Sequence, residues 1–168
     1  MAYSVDTSYF VRAWTVWYPY DDFEGVWRVL VSAAAHGSLF VVDRVRDELD
    51  RQVPELVDFF DKFAGNWHSV TVGDAALDGA LKSLEKDLLA GTIIRSYPSS
   101  NIRKYISVAD PALVLHAQLY GHVVVSNELS DKLTKKGPKI PDLCEVQGVS
   151  HATPAEFAGA LGYKFGPV

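Results

Sequence analysis

One cysteine, Cys144, stands alone in the 168 residues. No intramolecular disulfide is available, and neither the paired spacing of a zinc site nor a redox CxxC occurs. Cys144 reads as a small buried apolar residue. Long apolar runs are missing too: no stretch of about 18 uncharged apolar residues is found, and no basic start leads into an apolar segment. The expectation is a protein without membrane span or secretory signal, placed in the cytoplasm. The sequence also lacks GxxxxGK[ST], GxGxxG and GxSxG, which leaves nucleoside-triphosphate hydrolysis, dinucleotide redox chemistry and a serine-hydrolase elbow without support.

Positive charge is in short supply, with 16 Lys and Arg against 21 Asp and Glu for a net charge of -5. That sign is wrong for a protein that binds nucleic acid through its bulk field. A nucleic-acid role needs local remedies, either divalent cations that neutralise an acidic pocket or basic residues gathered at its rim.

What is present fits one globular domain over residues 1–168, with 48% hydrophobic residues and no internal repeat or low-complexity linker. Tyr3-Ser4-Val5 reads as a strand that ends at Asp6, before an aromatic stretch that holds Trp14, Trp17 and Pro19. A helix follows from Phe23, with Val26, Trp27, Leu30 and Ala34 on one face and Gly37 as a left-handed stop. Leu39-Phe40-Val41-Val42 is a second strand, and Asp43 is placed as the cap of the next helix. Val45, Leu49, Val53, Leu56 and Phe60 keep helical spacing, although Pro54 predicts a break. Between Ala64 and Ser100 the reading is a strand over 68–72, a helix over 75–89 and a loop closing on Tyr97-Pro98-Ser99-Ser100. Asp110-Pro111 predicts a capped helix that stops at Gly121, followed by a buried strand over 123–126. A basic loop over 132–139 leads to a short helix at Pro141 that ends near Gly148, and Thr153-Pro154-Ala155-Glu156 carries a capping box for a last helix closing at Gly162. This alternation implies an α/β fold on a central, mostly parallel sheet.

Ligands bind beyond the carboxyl ends of strands in such a sheet, and acids stand at those places. Asp6 ends the first strand, Glu48 lies in the helix after the second, Asp110 precedes the 123–126 strand, Glu128 follows it, and Asp142 follows the basic loop. Carboxylates gathered this way require protons or cations. Oxygen ligands without paired His or Cys favour Mg²⁺ or Mn²⁺, which activate water for phosphodiester hydrolysis. Asp6 has no capping role in this reading, whereas Asp110 does, and Asp47 competes with Glu48. Thr7 or Ser8 either hydrogen-bonds a ligand or finishes the turn. His36, His68, His116, His122 and His151 show no metal-ligand spacing.

Val5-Asp6-Thr7-Ser8, Val45-Arg46-Asp47-Glu48-Leu49, Ala109-Asp110-Pro111-Ala112-Leu113-Val114 and Val124-Val125-Ser126-Asn127-Glu128 resemble, in order, the four acidic motifs of PIN domains. Trp17-Tyr18-Pro19 and Lys139-Ile140-Pro141-Asp142-Leu143-Cys144 resemble more narrowly the PIN-like group called DUF4411. The resemblance implies a three-layer α/β/α fold and Mg²⁺- or Mn²⁺-dependent endonucleolytic cleavage of single-stranded RNA. It further implies the toxin role of a bacterial type II toxin-antitoxin pair, with a cognate antitoxin and a homodimer as partners. Asp6, Glu48 and Asp110 would be the central catalytic metal ligands. Glu128 stands where many PIN domains have Asp after Thr-Asn, so the fourth ligand is Glu128 or Asp142. Arg46, Lys135, Lys136 and Lys139 are the candidate RNA contacts, with Arg12 and Arg44 nearby in sequence to the acids. Trp14, Trp17, Tyr18 and Tyr20 are expected to cover the core or a subunit interface, with base stacking as the alternative. The competing function is a catalytically weak PIN-like module that binds RNA or protein. A haloacid-dehalogenase phosphatase needs a second Asp two residues after the first, where Ser8 stands.

Overall fold

Short valine-bearing runs form three of the five strands described, because branched side chains suit the pleated surface and are less favoured in helix. In the computed structural model, which describes residues 1–69 and 73–162, the strands are β1 (Tyr3–Val5), β2 (Leu39–Val42), β3 (His68–Ser69), β4 (Val123–Val125) and β5 (His151–Ala152). The helices are α1 (Thr7–Arg12), which runs into a π-helical turn over Ala13–Trp17, then α2 (Tyr20–Ala35), α3 (Asp43–Gln52) and α4 (Pro54–Phe63). The chain continues through α5 (Ala75–Ala90), α6 (Ser99–Ser107), α7 (Ala109–Tyr120), α8 (Ile140–Gln147) and α9 (Pro154–Ala160).

The strand order is β3-β2-β1-β4-β5, and every pairing is parallel. The chain therefore builds outward from β1 to β3, then crosses back to start again at β4 on the other side of β1. Right-handed crossovers put α2 to α4 on one face and α5 to α8 on the other, giving the three-layer α/β/α fold. The boundary between β1 and β4 is the switch point of the sheet, where loops diverge and leave a crevice.

Helix α7 is the central wedge. Ala109 and all positions from Pro111 through Ala117 are buried, as expected for a helix apolar on every side. On the other face Phe10 meets Phe60 and Trp67 edge-on, with ring centroids 5.6 and 6.5 Å away. Trp14 packs on Trp27 at 4.7 Å, so the aromatic stretch serves packing. Pro54 does restart the helix: α3 ends at Gln52, Val53 turns out of helical geometry, and Pro54 opens α4.

Several expectations move. Helix α2 begins before Phe23, which is itself a kink with non-helical torsions. The expected loop at Tyr97-Pro98-Ser99-Ser100 opens α6, and β5 joins the sheet edge although only two residues long. The final helix stops at Ala160, ahead of Gly162. Of the strand expected over 68–72, positions 68 and 69 form β3 and the rest lie outside the described residues. Among the described residues no helix is long and apolar enough to cross a membrane.

Removing a fully buried ring that joins α1 to α4 leaves a cavity. Phe10→Ala is expected to cost about 3–5 kcal/mol in urea-induced unfolding; a change within the noise of the measurement would show that this contact does not hold the two helices together.

Candidate active site: a carboxylate pocket at the switch point

Asp6 follows β1 directly, and its backbone N–H donates to the Val125 carbonyl at 2.9 Å, which ties it to the end of β4. Its side chain is buried, 4% exposed, at the N-cap of α1. Ser8 donates to it twice, from N–H at 3.2 Å and through a short bond from its hydroxyl. Ser126, just past β4, adds a third donor at 3.2 Å while accepting the Glu128 N–H at 3.0 Å. The capping roles read from the sequence are thus exchanged: Asp6 caps a helix, while Asp110 lies inside the first turn of α7 behind Val108 and caps nothing.

Asp6, Glu48, Asp110 and Glu128 line one cavity of about 340 Å³ together with Thr7, Ser8, Val11, Arg12 and Gln52. They reach it from β1, α3, α7 and the segment after β4. Glu48 accepts the Thr7 hydroxyl at 2.7 Å, and its rival Asp47 is exposed. Glu128 accepts the Lys139 ammonium at 2.6 Å on one oxygen and the Ile140 N–H at 3.1 Å on the other. Thr7 and Ser8 hence do more than finish a turn, since both bind cluster acids.

Two of these acids, Asp6 and Asp110, hold their protons more tightly than a free carboxyl does. Burial, with the Glu128 charge assisting, raises Asp6 to about 6 in spite of its donors. Asp110 rises to about 7 through burial and the charges of Asp6, Glu128 and Glu48, with only Lys139 favouring its ionised form. Among the described residues no hydrogen bond offsets that rise.

Other expected residues fall elsewhere. Asp142 is buried at the start of α8, where it accepts the Ser130 hydroxyl and the Asp131 N–H at 3.1 Å and fastens its own loop; it does not line the pocket. Arg46 is drawn away by Asp61, at 2.6 Å, which also accepts the Trp67 indole N–H at 2.7 Å and so clamps α3 to α4. Arg44 donates to the Ile106 and Val108 carbonyls, at 2.9 and 3.3 Å, and steadies the entry to α7. Arg12 does line the pocket.

A second, larger groove of about 820 Å³ adjoins at Asp110, which lines both. Lys104, Lys136 and Lys139 line it, with Asn101, Tyr105 and Asp131. Lys135 stays outside, its carbonyl accepting the Asn101 amide at 2.8 Å. Lys104 and Tyr105 were not among the expected residues. Both come from α6, which gave no signal beyond Pro98 and two serines.

The donor set is all oxygen, with neither His nor Cys at the pocket, and fits a hard divalent ion such as Mg²⁺ or Mn²⁺. Among the described residues no three such side chains converge closely enough to hold an ion as they stand. Asp6, Glu48 and Glu128 each accept hydrogen bonds from protein donors.

A carboxyl whose folded value exceeds its unfolded one binds its proton more tightly when folded, so stability is present at low pH and lost as pH rises from about 4 towards 7. Thermal melts in EDTA should accordingly fall across that window. Asp110→Asn removes the larger rise, and at pH 8 without metal it should melt higher than the parent; an equal or lower melting temperature would contradict the stored repulsion.

The family described as a domain of unknown function (DUF4411) matches residues 3–165. No curated protein and no solved structure matches the chain. Since the match runs through every strand and both walls of the pocket, the chain belongs to the DUF4411 family.

Proposed function

We propose that this protein is a metal-dependent endoribonuclease that cleaves single-stranded RNA at the Asp6 pocket. One observation carries the reading: acids from positions 6, 48, 110 and 128, distant in sequence, meet in one cavity at the sheet's switch point. Stability would be served by apolar residues there, and clustered carboxylates with raised pKa values are a mark of function.

Asp6, Glu48 and Asp110 would hold Mg²⁺ or Mn²⁺. Such an ion, when bound, lowers the pKa of water and draws off negative charge that builds on phosphate oxygens. The chain's residues supply position. Ser8 and Ser126 fix the Asp6 carboxylate, and Thr7 orients Glu48. Hydrolysis adds the water oxygen to phosphorus and opens one P–O ester bond. One water proton goes to solvent and one is taken up by the departing oxygen, leaving a phosphomonoester and an alcohol.

The order of acids that resembles PIN domains extends the proposal to a toxin of a type II pair, with an antitoxin as partner. A purely binding role is the competing outcome. Titration of Mn²⁺ against a labelled single-stranded RNA distinguishes the two, since catalysis yields fragments and a binding module yields only a shifted complex. Asp6→Asn keeps the N-cap acceptor and should lower cleavage by about 10²-fold or more while the far-ultraviolet spectrum is retained. An undiminished metal-dependent rate in that variant would remove Asp6 from the mechanism.

A further inference from the structure

We propose that Lys139 is a resident second cation of this site: tethered by Glu128, its ammonium contacts the RNA phosphate from the groove side, in the role a second divalent ion plays in two-metal nucleases. The inference rests on the nuclease reading and deepens it.

Both oxygens of Glu128 are engaged. Lys139 Nζ lies 2.6 Å from one carboxylate oxygen, and the Ile140 N–H donates to the other at 3.1 Å. The second bond places the carboxylate at the N-terminus of α8, where backbone donors and the helix dipole favour negative charge. Its own N–H is held by the Ser126 hydroxyl at 3.0 Å, the same hydroxyl that donates to Asp6. Glu128 is therefore a positioning residue that sets an ammonium beside the carboxylates, and Asp6, Glu48 and Asp110 remain to hold an ion.

Lys139 is also placed to meet substrate. It lines the groove that opens from the pocket at Asp110, and its side chain keeps 38% of its exposure in spite of the ion pair. Tyr105, on the same groove wall, is 6% exposed, and its hydroxyl has no hydrogen-bond partner. Buried polar groups are nearly always paired, so an unpartnered hydroxyl on a residue that lines this groove is a donor left over for a ligand with acceptor oxygens. Phosphate supplies them. Backbone at Gly137 is laid so closely on the Tyr105 ring that a Cβ there would collide with it, which ties the loop before Lys139 to α6.

Charge balance agrees. Asp6, Glu48 and Asp110 with one divalent ion leave a single negative charge, which Arg12 on the same pocket lining offsets, while Glu128 and Lys139 cancel. An ammonium is a compact point charge that suits a phosphate oxygen and needs no ligands of its own. Bond changes are those of the hydrolysis above, and Lys139 neither gains nor loses a proton.

Counting bound Mn²⁺ by electron paramagnetic resonance, alongside cleavage of a labelled single-stranded RNA oligomer, tests the assignment. The expected result is one Mn²⁺ per wild-type chain. Lys139→Met should still bind that ion, which shows it folded, yet cleave about 10²-fold more slowly, and Lys139→Arg, which keeps the charge but not the compact ammonium, should bind the ion and recover only part of that loss. Two Mn²⁺ on a cleaving wild-type chain, or Lys139→Met cleaving at the wild-type rate, would overturn the role of Lys139 and leave the nuclease reading intact. A wild-type chain that neither binds Mn²⁺ nor cleaves overturns both.

Discussion

Two negative charges about 4 Å apart repel by about 4 kcal/mol at an effective dielectric near 20, and the pocket between β1 and β4 gathers Asp6, Glu48, Asp110 and Glu128. The surrounding structure distributes that repulsion among specific donors. Ser8 and Ser126 take Asp6, Thr7 takes Glu48, and Lys139 with the α8 N-terminus takes Glu128. Asp110 receives no such donor and holds its proton to about 7. The rigid elements make the arrangement persist: Asp6 cannot retreat because its N–H is bonded to the β4 edge, and Asp110 is carried by the most deeply buried helix.

Much of this was legible in the chain because the strongest signals are local. β2 matches its apolar run residue for residue, Pro54 divides α3 from α4, and Gly121 and Gly148 take the left-handed stops. The acids themselves could be ordered along the sequence, but their meeting could not be read from spacing; it follows from a strand order that returns the chain to β1's open side. Resemblance supplied that order where periodicity had nothing to say.

What stayed hidden has physical causes. Helix α6 has neither a side-chain cap nor an acidic first turn, so its start looks like a turn motif, and Lys104 and Tyr105 went with it. The exchange of capping roles between Asp6 and Asp110 reflects a choice of one or two residues in where each helix begins, which sequence signals rarely resolve. Asp142 and Arg46 were plausible by position and lost by partner: the 130–131 loop consumed one and Asp61 the other. A charged side chain's nearest neighbours decide its availability, and those neighbours are tertiary.

The same logic reconciles an acidic protein with the polyanionic substrate proposed for it. A net charge of -5 sets only the distant field, which at about 10 Å is already heavily screened at ordinary ionic strength. Beside the pocket, Lys104, Lys136 and Lys139 gather around one groove, with Asp110 and Asp131 as their acidic neighbours. Arg46, bound to Asp61, lines neither cavity although it lies two residues from Glu48. Lys139 is neutralised just as fully in a formal count, yet its partner Glu128 is itself a member of the cluster, so the pair places positive charge where repulsion is greatest. On the proposed nuclease reading, position relative to the carboxylates, more than the number of basic residues, is what would equip this chain to meet phosphate.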